Sequence, residues 1–430
     1  MVARVPLQGG AEILSERPIL IGPLSCSGLV CLGCHAQILE EDFVRCESCQ
    51  WPLCCQECSG GFHAEECEIL AQDVKQIGNP KELGDTPRYD IIMILRGLLL
   101  KKNNPNAWQQ LMSLENHAEE WKAEGDPFHN APVTYFSRVC KVTDDIDDVH
   151  KVRGAIVTNC FLFQNKFKTT IRAVYPVFSL FNHSCIPNVV TFIAPSGNLF
   201  AKAAVVIEAG QEMNNCYTGT MEPLWTRQHN LKKNFKFVCE CRRCTDPTED
   251  ETYFSAPVCS KCNKSYVTPD IDGANVAIDS DILNMLSSTN SFDYSSYNKS
   301  DSNSAFSIDN WSCKYCKHST KLSEIEKPIS EWLDRFEEGS IFRTNPIAEV
   351  INSLIEEYHI SHYVVFRAMV YALQHLKGNS IECSKVRKQI WENRLNVINR
   401  FEPGLTRHRG EKNVRLVRQF DFHICRYEII

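Results

Sequence analysis

Apolar positions along the chain recur with two periods, and the switches between them divide it. Gly9 and Gly10 mark a turn; the alternation of Ala11 and Ile13, then the run 18–21, predict two short strands. From residue 68 to about 150 the period is helical. Ile91, Ile92, Ile94, Leu95, Leu98 and Leu99 form a stripe ending at Lys101 and Lys102. Pro105 separates it from a second predicted helix carrying Trp108, Leu111, Leu114 and Trp121. Residues 189–193 and 199–207 return to β-rich runs, joined as a hairpin by Pro195, Ser196, Gly197 and Asn198. Just before them an apolar run (Val177, Phe178, Leu180, Phe181) stops at Asn182, His183, Ser184 and Cys185, and Pro187 prevents its continuation. Residues 320–430 are helical again: Ile347, Val350, Ile351, Leu354, Ile355 and Tyr358 share one face, as do Phe366, Met369, Val370, Leu373 and Leu376. Across 263–311 no period survives; the polar stretches 287–291 and 295–304 predict a disordered loop.

Composition changes this picture at one point. The 430 residues are 43% hydrophobic, ordinary for a globular chain of more than one folding unit. The net charge of −7 opposes nonspecific attraction to nucleic acid. No apolar run approaches the roughly 20 residues of a membrane span, and residues 1–24 lack a signal-peptide pattern. The outlier is 22 cysteines. Most fall in pairs with no more than two residues between them, which suits thiolates gripping one tetrahedral ion and a reducing cytoplasm or nucleus, not a secreted disulfide scaffold.

Cys31, Cys34, Cys46, Cys49, Cys54, Cys58, His63 and Cys67 supply eight ligands for two closed, structural zinc sites; Cys55 rivals Cys54, but Cys54 keeps the three-residue gap to Cys58. A segment with so little apolar core takes its folding energy from metal, about 10 kcal/mol per site. Cys239, Cys241 and Cys244 are three ligands lacking a fourth. Cys259, Cys262, Cys313 and Cys316 form a further set at the base of the polar loop. Cys26, Cys55, Cys140, Cys160, Cys216, Cys383 and Cys425 are expected to be small buried apolar side chains. His359 and His362 are expected to pack or lie at the surface rather than bind metal.

The order Asn182-His183-Ser184-Cys185-x-Pro187-Asn188, then Tyr217, then the trio ending at Cys244, resembles the core of a SET-domain protein methyltransferase. The upstream cluster resembles a MYND finger, so the chain resembles the SET-and-MYND (SMYD) family, in its insect SmydA-like branch. Glu12, Ile13, Leu14, Glu16 and Pro18 resemble that family's opening strands, and the segment from Glu402 resembles insect members. The resemblance implies an α+β fold: a split SET β-fold interrupted by a MYND zinc finger and helical insert, then a Cys-rich post-SET zinc segment and a helical C-terminal domain. The boundaries expected are 1–30 (first SET part), 31–67 (MYND), 68–150 (helical insert), 151–220 (core SET), 221–318 (post-SET and second Cys-rich segment) and 319–430 (C-terminal domain).

It also implies roles. In the MYND finger Cys31, Cys34, Cys54 and Cys58 would hold one zinc and Cys46, Cys49, His63 and Cys67 the other. Cys185 would complete Cys239, Cys241 and Cys244. The implied activity is protein-lysine N-methylation of a histone or non-histone protein from S-adenosylmethionine. Asn159, Asn182, His183, Tyr217 and Phe237 would contact that cofactor. Tyr217 would be catalytic, and Phe161, Phe235 and Phe237 would wall the lysine channel. The family's Gly-x-Gly cofactor turn would precede the first residue. Either the form is N-terminally shortened or the cofactor is held without that turn. Phe235 stands where active relatives often carry Tyr. The rival expectation is a SET-MYND adaptor that binds partner peptides. Proline-rich peptides are the implied MYND partners, a monomer in cytoplasm and nucleus the implied state. Neither C2H2 spacing nor a basic recognition helix supports sequence-specific DNA binding.

Overall fold

A computed structural model describes residues 1–24, 27–39, 44–77, 89–125, 127–138, 142–143, 145–271, 308–339, 341, 346–376 and 381–406. Cys26, Cys140, Cys425 and the serine-rich stretches 287–291 and 295–304 lie outside the described residues. The fold is mixed α and β, and the chain forms two units: Met1, Ala11–Phe181 and Thr191–Lys202 in the first; Val2–Gly10, Asn182–Val190 and Ala203–Ile430 in the second.

In the first unit β1 (Glu12–Glu16) pairs antiparallel with β9 (Leu199–Ala203), Glu16 facing Leu199. A second sheet runs β2 (Leu20–Pro23), β6 (Thr170–Val174), β5 (Cys160–Gln164). The finger contributes β3 (Val44–Arg45) and β4 (Pro52–Leu53), then α1 (Ala64–Ile77). The central helix is α2 (Asp90–Asn103), whose stripe buries Ile91, Ile92, Met93, Ile94, Leu95, Leu98 and Leu99. At Gly97 a Cβ would stand 2.6 Å from Val152 Cγ1, so glycine permits the close approach of α6 (Ile146–Asn159). The helix expected across Trp108 to Trp121 is two: α3 (Pro105–Met112), capped by the Asn104 side chain, and α4 (Ala118–Glu124). His117, in the left-handed region at φ 48°, breaks them apart. A further helix, α5, spans Pro127–Arg138.

In the second unit the residue 2–10 segment bonds to the chain after β9: Leu7 and Ile207 exchange both backbone bonds, at 2.8 and 2.9 Å. The β-run expected through 207 therefore stops at Ala203, and Ile207 makes an isolated bridge. Leu405 donates its N–H to Ala204 O, and Gly404, at φ 80°, permits the approach. Strand β7 (Asn182–His183) pairs parallel with β10 (Asn214–Asn215). Helices α7 (Leu224–Phe235) and α8 (Arg242–Thr245) follow, then a sheet β11 (Val267–Pro269), β12 (Asn310–Cys313), β13 (Ser319–Lys321). Residues 263–271 and 308–311 thus belong to the structured base of the loop expected across 263–311. The zinc knuckles and β11–β12 pairing order them, and 272–307 lies outside the described residues. Helices α9 (Leu322–Glu337), α10 (Ile347–Glu357), α11 (Tyr363–His375) and α12 (Ile381–Phe401) complete the unit. Phe254 packs edge-on to Tyr363, Phe366 and Phe401, joining the segment after α8 to these helices.

Candidate functional site

The parallel pairing of β7 with β10 sets Asn182 beside Asn214 and His183 beside Asn215. Asn188 locks the arrangement, donating to Glu212 O at 2.8 Å and accepting from Asn214 N at 2.7 Å. Asn182 Nδ2 donates to the Glu212 carboxylate at 2.7 Å. Two residues past β10, the N–H of Tyr217 donates to His183 Nδ1 at 3.0 Å. The proton of that imidazole therefore sits on Nε2, 3.2 Å from Cys185 Sγ, where it donates to the sulfur. Lys236, in the left-handed region, turns the chain after α7 so that Phe235 and Phe237 both flank Tyr217, with ring centroids 4.9 and 6.4 Å away. Burial, with a smaller contribution from Glu212, pushes the Tyr217 phenol up to about 12, so it stays protonated and can donate.

Cys185, Cys239, Cys241 and Cys244 bring their sulfurs within 4.8 Å of one another, with Cys185 3.5 Å from Cys244 and 4.0 Å from Cys239. Four sulfurs around one zinc stand about 3.8 Å apart, whereas a disulfide needs about 2.05 Å. The donor set fits a tetrahedral zinc. The same holds for Cys259, Cys262, Cys313 and Cys316, with separations of 3.6 and 3.8 Å. In the first unit Cys31, Cys34, Cys54 and Cys58 form one set and Cys46, Cys49, His63 and Cys67 the other, the cross-braced pairing that the resemblance implied. Cys55 stays outside its set, 3.6 Å from Cys58. Each set is closed by four protein ligands, which is the structural rather than the catalytic arrangement. Of the leftover cysteines within the described residues, Cys55, Cys160, Cys216 and Cys383 are only partly buried, because they lie at or near the ends of their elements.

Sequence reasoning passed over the groups that support these ligands. Glu66 is wholly buried and accepts from Arg96 through both oxygens, at 2.6 and 2.9 Å, while His63 Nδ1 lies 3.3 Å from it. The carboxylate thus orients a metal-binding imidazole. Arg96 also reaches Ile21 O, Leu32 O and His35 Nε2, tying the finger to α2. In the second unit Arg227 donates to Cys185 and Cys244, and Gln228 clips both backbone groups of Cys239. One signal was available: Arg227 and Gln228 fall between Leu224 and Leu231 on the apolar face of α7.

No protein-family model matches the chain. It is 27% identical over 262 residues to the SET domain-containing protein SmydA-8, isoform A, of Drosophila melanogaster, covering 59% of this chain and 55% of that one. It is 26% identical over 271 residues to the mouse histone-lysine N-methyltransferase SMYD3 (58% and 59%) and 36% identical over 266 to the rat N-lysine methyltransferase SMYD2 (56% and 59%). The chain is thus similar to members of the SET-and-MYND family. It spans little more than half the length of these relatives. The SmydA-8 match agrees with the insect-branch resemblance. Among solved structures, the SET domain of LSMT bound to lysine and AdoHcy aligns at 11% identity and a TM-score of 0.32, covering 99% of this chain and 89% of that one.

Of the residues expected in the SET-and-MYND site, the second unit gathers Asn182, His183, Tyr217, Phe235 and Phe237 around the Cys185 metal set. Asn159 and Phe161 belong to the first unit. Asn159 ends α6, buried, with its amide nitrogen donating to Glu115 O and Ala155 O. Phe161 packs on Phe178 and edge-on to Tyr175, at 5.1 and 6.0 Å.

Proposed function

We propose that the chain is a protein-lysine N-methyltransferase that draws its methyl group from S-adenosylmethionine. The observation that carries this is the connected line from the Cys185 metal set through His183 to Tyr217. Its two flanking phenylalanines give the protonated phenol an apolar setting. Such a site suits in-line transfer to an amine. A free lysine has a pKa of about 10.4, and an apolar channel favours the neutral nucleophile the reaction needs. When bound, S-adenosylmethionine supplies the electrophilic methyl group.

The chain's own residues supply position. Phe235 and Phe237 hold the lysine stem. The Tyr217 hydroxyl orients the amine, a positioning effect worth several kcal/mol in well-aligned reactions, roughly 7–11 at the limit. The phenol need not be a base: solvent takes the proton. Asn182 offers an exposed amide edge at the end of β7. Both nitrogens of the His183 ring are committed, so any cofactor contact from that residue falls to its ring face or backbone. Histone and non-histone proteins with an accessible lysine are the substrate class, and proline-rich segments the partners of the finger. The chain acts in cytoplasm and nucleus.

Zinc-loaded protein incubated with radiolabelled S-adenosylmethionine and a panel of histones and lysine peptides is expected to transfer label, and Tyr217→Phe to lose it with the fold intact. No labelling by either protein would leave the adaptor reading; equal labelling by both would overturn the role given to Tyr217.

A further inference from the structure

Four thiolates around a divalent zinc carry two net negative charges. At Cys185 and Cys244 these are buried, at 0% and 3% exposure. A buried dianion needs compensation. The groups on the page that supply it are Arg227, Glu249 and Arg243, all buried. Arg227 is 0% exposed. Its Nε donates to Cys185 Sγ at 3.3 Å and one Nη to Cys244 Sγ at 3.6 Å. Its other Nη donates to Glu222 O at 2.7 Å and to Glu249 at 2.9 Å. Glu249 accepts a second bond, from Arg243 Nε at 3.0 Å. The Arg243 guanidinium is stacked 3.3 Å from the ring of Phe401, at the end of α12, and donates to Thr220 O. Two guanidinium charges against one carboxylate leave one positive charge set against the metal site.

We infer that Arg227 is a positioning residue for this site. Its fork fixes the two sulfurs on which the metal, His183 and hence Tyr217 depend, while Glu249 and Arg243 fix the fork. Neither charge alone nor bulk alone reproduces this. A lysine ammonium cannot place donors on both sulfurs while also meeting Glu222 O and Glu249, because it lacks the planar array of five N–H groups. The inference deepens the methyltransferase reading, on which only its activity arm rests.

The test uses the full zinc-loaded chain, Arg227→Gln and Arg227→Lys, with near-ultraviolet circular dichroism as the check of fold. Against a chromogenic pyridylazo chelator, one zinc per chain is expected to leave about 10- to 100-fold faster in Arg227→Gln, the range typical of lost outer-shell partners. The remaining zincs act as internal controls, and Arg227→Lys falls between. After cobalt replacement the thiolate-to-cobalt charge-transfer band moves to longer wavelength in Arg227→Gln, because sulfurs without their N–H donors give up electron density more readily. In methyl transfer, kcat falls more than the KM for S-adenosylmethionine rises. A folded Arg227→Gln that releases zinc at the wild-type rate with an unshifted band would overturn the assignment. Should that variant not fold, Arg227→Lys decides by the same two readouts. Should the wild type transfer no methyl group, the chelator and cobalt arms still decide, so the two readings fail separately.

Discussion

The backbone N–H of Tyr217 and Nδ1 of His183 meet at 3.0 Å, and that bond settles which ring nitrogen faces the metal set. It makes His183 a link between Cys185 and Tyr217. His183→Ala removes the link and is expected to lower kcat about 10- to 100-fold, the scale on which outer-shell partners act. His183→Asn can present a side-chain oxygen to the Tyr217 N–H and should recover part of the loss. Single-turnover methyl transfer distinguishes the two; equal rates for both variants would mean that the Tyr217 bond contributes nothing.

Burial first, and Glu212 second, push the Tyr217 phenol up to about 12. A phenol so placed stays neutral through the range in which a lysine amine loses its proton. The rate of methyl transfer is therefore expected to rise from pH 7 towards 10 without a descending limb. A pH–rate profile checks this: a fall below pH 10 caused by Tyr217 ionisation would contradict it.

Glu66 shows the opposite situation, a buried carboxylate held ionised. Burial alone would raise its pKa, but Arg96, then His63, keep it below the ordinary carboxylate value. Arg96→Ala strands that charge with no bidentate partner and should cost about 3–5 kcal/mol. Arg96→Met paired with Glu66→Leu should recover much of the loss. Denaturant unfolding of the zinc-loaded variants measures both.

Glu326 gives the pH dependence of stability its clearest source. It is 3% exposed in α9, neither carboxylate oxygen has a hydrogen-bond partner, and burial pushes its pKa up to about 8. With the folded pKa raised, the folded state holds a proton that the unfolded state has released above its ordinary value of 4.5. Stability is full below pH 4.5 and declines as pH rises towards 8. Glu326→Gln removes that decline and should gain up to about 4 kcal/mol at pH 8 and almost nothing at pH 4. Urea unfolding at the two pH values checks it; an equal gain at both would exclude this origin.

The sequence made the metal sets legible because ligand spacing is local chemistry. That three cysteines lack a fourth ligand was also legible, but Cys185 as that ligand came only from the resemblance to the SET-and-MYND family. The helical stripes were legible for the same local reason, although the break between Trp108 and Trp121 was not. The first helix ends at Met112, and the left-handed turn at His117 that precedes the second carries no glycine or proline to announce it. Long-range charges were illegible. Arg96, Glu66, Arg227 and Glu249 resemble ordinary solvated residues, and what distinguishes them is burial against partners 22 to 30 positions away. The His183 ring was read as polar reach towards a cofactor, while its two nitrogens are spent on Tyr217 and Cys185.

Calorimetric titration of S-adenosylmethionine into zinc-loaded wild type and into Cys241→Ala tests the central claim most directly, namely that the Cys185 metal set builds the site around Tyr217. The account predicts one binding event per chain in the wild type and none in the variant, with the other three metal sets still filled. Heat of equal size in both proteins, or no heat in the wild type, would contradict it.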